Sequence, residues 1–108
     1  MQIRDELQSQ LQSQESMFRA QLMREDIARL DKLVTLADAS PDLAAFKKAG
    51  TYIGWTQNDM MTHLLADTLG GLLEAIYAWR KGTGDEAAIN TAWMDFCTER
   101  NEKLIKCL

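Results

Sequence analysis

Hydrophobic and polar residues follow the spacing of α-helices along nearly the whole chain. No segment alternates between the two types over five or more residues, and the β-branched residues are scattered, so the pattern contains no strand signal. Residues that favour helices, such as Ala, Leu, Gln and Glu, dominate. We therefore predict an all-α fold, a small bundle of about four helices, with expected ranges of residues 3–39, 41–49, 56–81 and 85–108.

Residues that start and stop helices support these ranges. Ser40 and Pro41 suit the N-cap and the first position of the second helix, and Gly50 suits the position just after its end. The segment Thr56–Asp59 resembles a capping box at the start of the third helix, and Asp85 suits the N-cap of the fourth. These residues divide the chain after position 39 into three shorter helices.

The first predicted helix is too long to fit inside a domain of this size. Its roughly 37 residues span roughly 55 Å, whereas a domain of this length has a radius of gyration of about 13 Å. Its apolar stripe also turns by roughly 120° after Leu22, so that one straight helix would face two different partners. We therefore divide the chain into an amphipathic arm, residues 1–22, and a helical bundle domain, residues 23–108.

The arm carries a narrow apolar stripe among Gln and Ser residues. We expect this stripe to bind a partner protein or a second copy of the chain; it consists of Ile3, Leu7, Leu11, Phe18 and Leu22. In the alternative interpretation the helix bends at Met23 and the arm folds back onto its own domain. Domain swapping would satisfy both interpretations, because the arm would then pack on the bundle of another copy.

A polar stripe runs along the third predicted helix, which is otherwise apolar over most of its circumference. The stripe consists of Asp59, His63, Asp67, Gly70 and Glu74. The four-residue spacing of the first three places their side chains on one face, where they could hold a divalent metal or form an exposed strip around the imidazole. Gly70 and Gly71 weaken the helix, so we expect either a close approach by another helix or a partner, or a kink.

Arg100 lies within the apolar stripe of the fourth predicted helix. An arginine in this position extends its charged end to solvent, pairs with a buried carboxylate or crosses an interface. Cys97 and Cys107 lie in the same predicted helix, about 15 Å apart, which is too far for a disulfide. We expect both cysteines to be reduced and to act as small apolar residues.

Composition restricts the classes of function. The 108 residues carry 12 Lys and Arg against 16 Asp and Glu, a net charge of −4, which argues against a non-specific nucleic-acid binder. No apolar run reaches the ~18 residues of a membrane-spanning helix, and the residues after Met1 lack the apolar region of an export signal. We expect a cytoplasmic protein with no cofactor and no membrane partner.

One segment resembles the helix-turn-helix of bacterial repressors. The matching features are Thr56-Gln57 at a helix start, Leu69-Gly70 at the turn, and Ile76, Trp79 and Gly82 at the end. The resemblance implies a DNA-associated regulator. It departs from the family in that the spacing from Thr56 to Gly70 is about five residues too long, and Gly71–Ala75 has no side chain suited to bases or phosphates.

The sequence contains no recognisable catalytic motif. We therefore predict a non-enzymatic protein–protein interaction module, a homodimeric adaptor, chaperone or inhibitor of the kind that bacteria and their phages encode. The alternatives are a dimeric DNA-associated transcriptional regulator, and a metal-dependent helical enzyme that uses Asp59, His63 and Asp67.

Overall fold

Five α-helices and one 3₁₀ helix contain most of the residues that the structure describes. A computed structural model describes residues 1–56 and 59–103, with the backbone alone for Asp59 and Met60. The elements are α1 (Gln2–Gln12), α2 (Met17–Ala39), α3 (Leu43–Thr51), the 3₁₀ helix (Asp59–Leu65), α4 (Ala66–Arg80) and α5 (Glu86–Lys103). The described residues contain no strand, so the all-α prediction is confirmed, with five α-helices in place of about four.

The core lies around α4, the helix whose sequence is apolar over most of its circumference. This helix packs against α2, α3 and α5. Its fully buried residues are Leu69, Leu72, Leu73 and Ile76. Facing helices contribute Leu30 and Leu33 from α2, Phe46 from α3 and Phe96 from α5. A helix apolar on several sides is buried on several sides, which is why α4 is central.

The first predicted helix is interrupted. Helix α1 ends at Gln12 and α2 begins at Met17, so the prediction of one continuous helix over residues 3–39 is wrong. Ser16 is the N-cap of α2, and its Oγ accepts a hydrogen bond from the N–H of Arg19 at 3.3 Å. This bond satisfies one of the backbone donors that the break leaves without a helical partner.

Helix α1 folds back onto the bundle. It packs against α2 and α5, and Ile3 enters the core with 4% of its surface exposed. Burial of that side chain, worth about 1.5–3 kcal/mol, favours the bend. The fold-back is the alternative that the sequence left open, but the bend lies between Gln12 and Met17 rather than at Met23.

The second helix begins later than predicted. Its N-cap is Asp42, whose carboxylate accepts a hydrogen bond from the N–H of Ala45 at 2.8 Å. Ser40 instead ends α2, where its Oγ donates to the carbonyl oxygen of Leu36 at 2.6 Å. The prediction of Ser40 as N-cap is therefore wrong, because a capping side chain two residues further along the chain is available.

Gly50 lies inside the last turn of α3 rather than after its end. A Cβ at this position would stand 2.9 Å from Leu73 Cδ2 and 3.0 Å from Leu33 Cδ2. The glycine is buried, so its missing side chain lets α3 approach α2 and α4. Its role is close packing and not helix termination.

The third predicted helix consists of two elements. Residues 59–65 form the 3₁₀ helix, and the α-helix begins at Ala66. The predicted capping box over residues 56–59 lies partly outside the described residues. Leu69 and Gly70, which the helix-turn-helix resemblance placed at a turn, lie inside the uninterrupted helix α4, so the turn of that motif is absent.

Helix α5 begins as predicted. The carboxylate of Asp85 accepts a hydrogen bond from the N–H of Ala88 at 3.2 Å, which confirms Asp85 as its cap. The expected continuation to residue 108, with Cys107, lies outside the described residues. No helix in the described ranges is long and apolar enough to cross a membrane.

Candidate functional site

The polar stripe predicted on the third helix does not form one continuous face. A 3₁₀ helix has about three residues per turn, so positions four apart, such as Asp59 and His63, lie about 120° apart around the axis. The Asp59 side chain lies outside the described part of the chain, and His63 and Asp67 are exposed. Among the side chains that are described, no group of three or more His, Cys, Asp and Glu residues is placed to hold a metal ion.

The other half of the stripe meets α3. Lys47 Nζ donates a hydrogen bond to Glu74 at 2.7 Å and lies 3.8 Å from the position of a Cβ on Gly70. Gly70 therefore has a side chain of a neighbouring helix beside it, whereas Gly71 has open space. Solvent reaches both members of the Lys47–Glu74 pair, so the pair contributes little to stability.

Arg100 is buried and pairs with a carboxylate on α2. Only 5% of Arg100 and 2% of Asp26 are exposed. Nη1 and Nη2 of Arg100 donate to the two carboxylate oxygens of Asp26 at 2.8 and 2.9 Å. Burial opposes the charge of Arg100, but the hydrogen bonds and the charge of Asp26 together raise its pKa above the ordinary value. The pair therefore keeps a charged guanidinium inside the protein and joins α2 to α5.

Arg29 is a second arginine on the same carboxylate. It donates to Asp26 at 2.9 Å and to the carbonyl oxygen of Gly54 at 2.7 Å, and its guanidinium lies 5.6 Å from the centre of the Trp55 ring. Asp26 thus receives three charge-assisted hydrogen bonds. Arg100 Nε is buried and has no hydrogen-bond partner among the described residues.

A groove runs between the α1–α2 hairpin and α5, with the Arg100–Asp26 pair in its wall. Its volume of about 420 Å³ lies in the range of ligand-binding clefts. We call it the hairpin groove; it is lined by Leu7, Gln14, Phe18, Arg19, Leu22, Met23, Asp26, Trp93, Cys97, Arg100 and Asn101. A second depression, of about 630 Å³ next to Met1, is more open and lined mainly by polar residues. The hairpin groove alone of these two combines large apolar side chains with buried charges.

The five apolar residues of the predicted arm have different environments. Ile3 is buried in the core, Leu7, Leu11 and Leu22 are half-buried, and Phe18 is 53% exposed. Leu7, Phe18 and Leu22 line the hairpin groove. The fold therefore brings three of the five together at one surface, while Ile3 stabilises the bundle.

The groove lining is suited to binding contacts. Burial raises the pKa of the Cys97 thiol to about 11, against the opposite effect of the Arg100 charge. The thiol is therefore protonated at neutral pH and is a poor nucleophile. The lining contains no histidine, so the groove offers apolar surface and hydrogen-bond donors and acceptors.

The helical pattern of the sequence places Asp26 on an apolar face of α2. With Leu7 at 0° and 100° per residue, Asp26 falls at about 100°, inside the arc of about 80–200° that the apolar residues from Met23 to Ala37 occupy. Arg100 stands in the same way inside the apolar stripe of α5. A carboxylate and a guanidinium, each on an apolar face, indicate a buried pair.

Comparison with known proteins finds no family model, no curated protein and no solved structure that matches the chain significantly.

Proposed function

We propose that this protein is a non-enzymatic protein–protein interaction module, an adaptor, chaperone or inhibitor, that binds an amphipathic helix of its partner in the hairpin groove. One observation carries the proposal: Phe18 lines the groove with 53% of its surface exposed, next to Met17, which is 87% exposed. Large apolar side chains grouped at a concave surface are typical of binding sites for the apolar face of a helix.

The charges of the groove specify the chemistry of the partner. Its charged lining residues are Arg19, Arg100 and Asp26, and the carboxylate of Asp26 is already engaged by two arginines. The surface that remains consists of apolar side chains, the neutral polar Gln14 and Asn101, and a positive charge at Arg19. The partner helix therefore presents a large apolar side chain together with an acidic residue about one turn away.

The test compares two aspartate substitutions at exposed apolar positions. Phe18→Asp places a charge in the groove, and Tyr52→Asp, at a position 64% exposed and outside the groove lining, is the matched control. Tagged wild-type and variant proteins are used as baits in the native cell, and binding of each captured protein is then measured by calorimetry with purified components.

A partner that binds wild type and Tyr52→Asp equally, and Phe18→Asp at least about tenfold more weakly, supports the proposal. A tenfold loss is about 1.4 kcal/mol, and loss of a central anchor residue costs about 2 kcal/mol or more. Circular dichroism of Phe18→Asp checks that the fold is retained. Captured proteins that do not distinguish Phe18→Asp from its control contradict the proposal.

The other expectations about the protein remain predictions. They are self-association as a homodimer, a bacterial or phage origin, and a cytoplasmic location. The two alternative functions also remain predictions. Against a phosphate-binding surface, Arg4 and Arg80 are paired with Asp31 and Asp38, and Arg100 is buried against Asp26.

A further inference from the structure

The connection between α1 and α2 has no residue that requires a bend. Residues 13–16 are Ser-Gln-Glu-Ser, without Gly or Pro, and no non-glycine residue in the described ranges has a positive φ. Ser13 has φ −108° and ψ 5°, and Ser16 has φ −73° and ψ 121°. All four residue types can adopt helical dihedral angles without a steric clash, and of Ser13 and Ser16 the larger change would be in ψ of Ser16.

We call residues 13–16 the hinge. A continuous helix would replace the hydrogen bonds within it. The backbone N–H groups of Ser13 and Gln14 donate to the carbonyl oxygens three residues earlier at 3.2 and 3.3 Å, and the Ser16 side chain accepts from Arg19 at 3.3 Å. In a continuous helix, i→i−4 bonds would satisfy the same backbone groups. The hinge therefore does not itself maintain the bend.

Contacts of α1 with the rest of the bundle maintain it. Ile3 is buried in the core, Arg4 donates to the two carboxylate oxygens of Asp31 at 3.0 and 3.3 Å, and Asn90 donates to the side chain of Gln2 at 3.0 Å. None of these contacts involves the hinge. The α1 helix of a second copy could therefore make every one of them.

If the hinge straightens, α1 and α2 form one helix that is too long for α1 to pack on its own bundle. A straight helix over residues 2–39 would span roughly 57 Å, whereas the largest dimension of the molecule is 39 Å. Ile3 would then lie beyond the bundle, and its own core would lack a side chain. A second copy that has straightened in the same way has an empty α1 site on its own bundle. The α1 helix of the first copy fits that site.

We propose that the chain forms a domain-swapped dimer in which the hinge straightens, residues 2–39 become one helix, and each α1 docks on the α2 and α5 of the other copy. This proposal rests on the self-association predicted above and specifies its route. The pairing of Arg4 with Asp31 shows that α1 runs antiparallel to α2, so two opened chains can exchange α1 reciprocally about a two-fold axis. Leu7 of the second copy then completes the hairpin groove.

Met17 offers a substitution that locks the hinge. It is the first residue of α2, where proline is favoured, and the extended conformation of Ser16 before it is the one that proline requires. In a continuous helix the same proline would remove a hydrogen bond and clash with the preceding turn. The side chain is 87% exposed, so Met17→Ala is a matched control that removes it without restricting the backbone.

Size-exclusion chromatography with light scattering, after refolding over a range of protein concentrations, measures the dimer. We expect dimers of wild type and Met17→Ala, an association constant at least about 100-fold lower for Met17→Pro, and a higher constant for Ser13→Ala/Ser16→Ala, which removes the cap and favours the helix.

If Met17→Pro forms dimers as strongly as wild type, the swap is overturned, and the self-association must use another surface. Monomers at all concentrations for wild type and for the double alanine variant overturn both. Circular dichroism of Met17→Pro confirms that the locked monomer is folded.

Discussion

The carboxylate of Asp26 balances the charge of Arg100, which is only 5% exposed, so its removal tests how far this pair stabilises the fold. In Asp26→Ala, both Nη groups of Arg100 lose their carboxylate acceptors, and only the contact of Nη2 with Cys97 Sγ at 4.0 Å remains. Nε has no partner among the described residues. The guanidinium also lies over two aromatic rings, with its carbon 5.1 Å from the centre of Phe96 and 5.8 Å from that of Trp93. These rings offset only a part of the lost charge pairing.

The expected loss is large compared with the stability of the protein. Removing one partner of a buried ion pair typically costs about 3–5 kcal/mol, because an uncompensated charge remains inside. A chain of this length has a free energy of unfolding of about 5–15 kcal/mol. With a urea dependence of about 1–3 kcal/mol per molar, we expect the unfolding midpoint to fall by about 2 M.

A surface pair with two hydrogen bonds of similar length provides the control. Arg80 donates to the two oxygens of Asp38 at 2.7 and 2.9 Å, but the side chains are 39% and 49% exposed. Solvent screens this pair, so we expect Asp38→Ala to shift the midpoint only slightly. Unfolding in urea, followed by circular dichroism at the helix band, measures both variants.

A double variant keeps the test informative if Asp26→Ala fails to fold. Asp26→Leu/Arg100→Met replaces the pair by apolar side chains, and we expect it to be more stable than Asp26→Ala because no buried charge is left alone. The reasoning is refuted if Asp26→Ala lowers the midpoint no further than Asp38→Ala, or if the double variant is the less stable of the two.

Three further predictions concern single residues. Gly71→Ala should raise the free energy of unfolding by about 1 kcal/mol, because a Cβ there meets open space. Gly50→Ala should lower it by about 1–3 kcal/mol, because a Cβ there meets Leu73 and Leu33. Equal effects of the two substitutions in urea unfolding would contradict this. The hydrogen bond from Arg80 lowers the pKa of Asp38, so the pairing stabilises the fold above the ordinary pKa, and this stabilisation is lost as pH falls through the lowered pKa. Carbon NMR should show the pKa of Asp38 return to its ordinary value in Arg80→Ala. An unchanged titration of Asp38 would argue against the pairing. Burial raises the pKa of Cys97, so in Cys107→Ser the native protein should react with iodoacetamide much more slowly than the unfolded protein; equal rates would show an accessible thiolate.

The central helix and the start of α5 could be predicted from short stretches of the sequence. The apolar circumference of residues 66–80 predicted the central helix, and Asp85 predicted the start of α5, because both effects act within a few turns of chain. Ser40 shows the limit of this reasoning. Two neighbouring side chains could cap α3, and the geometry of the chain between α2 and α3 selected Asp42.

The candidate site could be predicted only in part. Phe18 and Leu22 were identified as binding residues, and both line the hairpin groove. Asp26 was not, although it lies on an apolar face, because its partner is 74 residues away in the sequence. The predicted stripe around His63 depended on α-helical spacing, which a 3₁₀ helix does not have.

The sequence by itself determined the all-α class, the central position of the apolar helix and the presence of an apolar stripe in the first 22 residues. These properties depend on the hydrophobic periodicity and on residues that cap helices, which are local. Only the tertiary structure decided that α1 turns back at residues 13–16, because helical and bent states of Ser-Gln-Glu-Ser differ little locally. Within one chain, the burial of Ile3 selects the bent state. The same packing decided that Arg100 meets Asp26, since a buried charge is tolerated only where the fold supplies its partner.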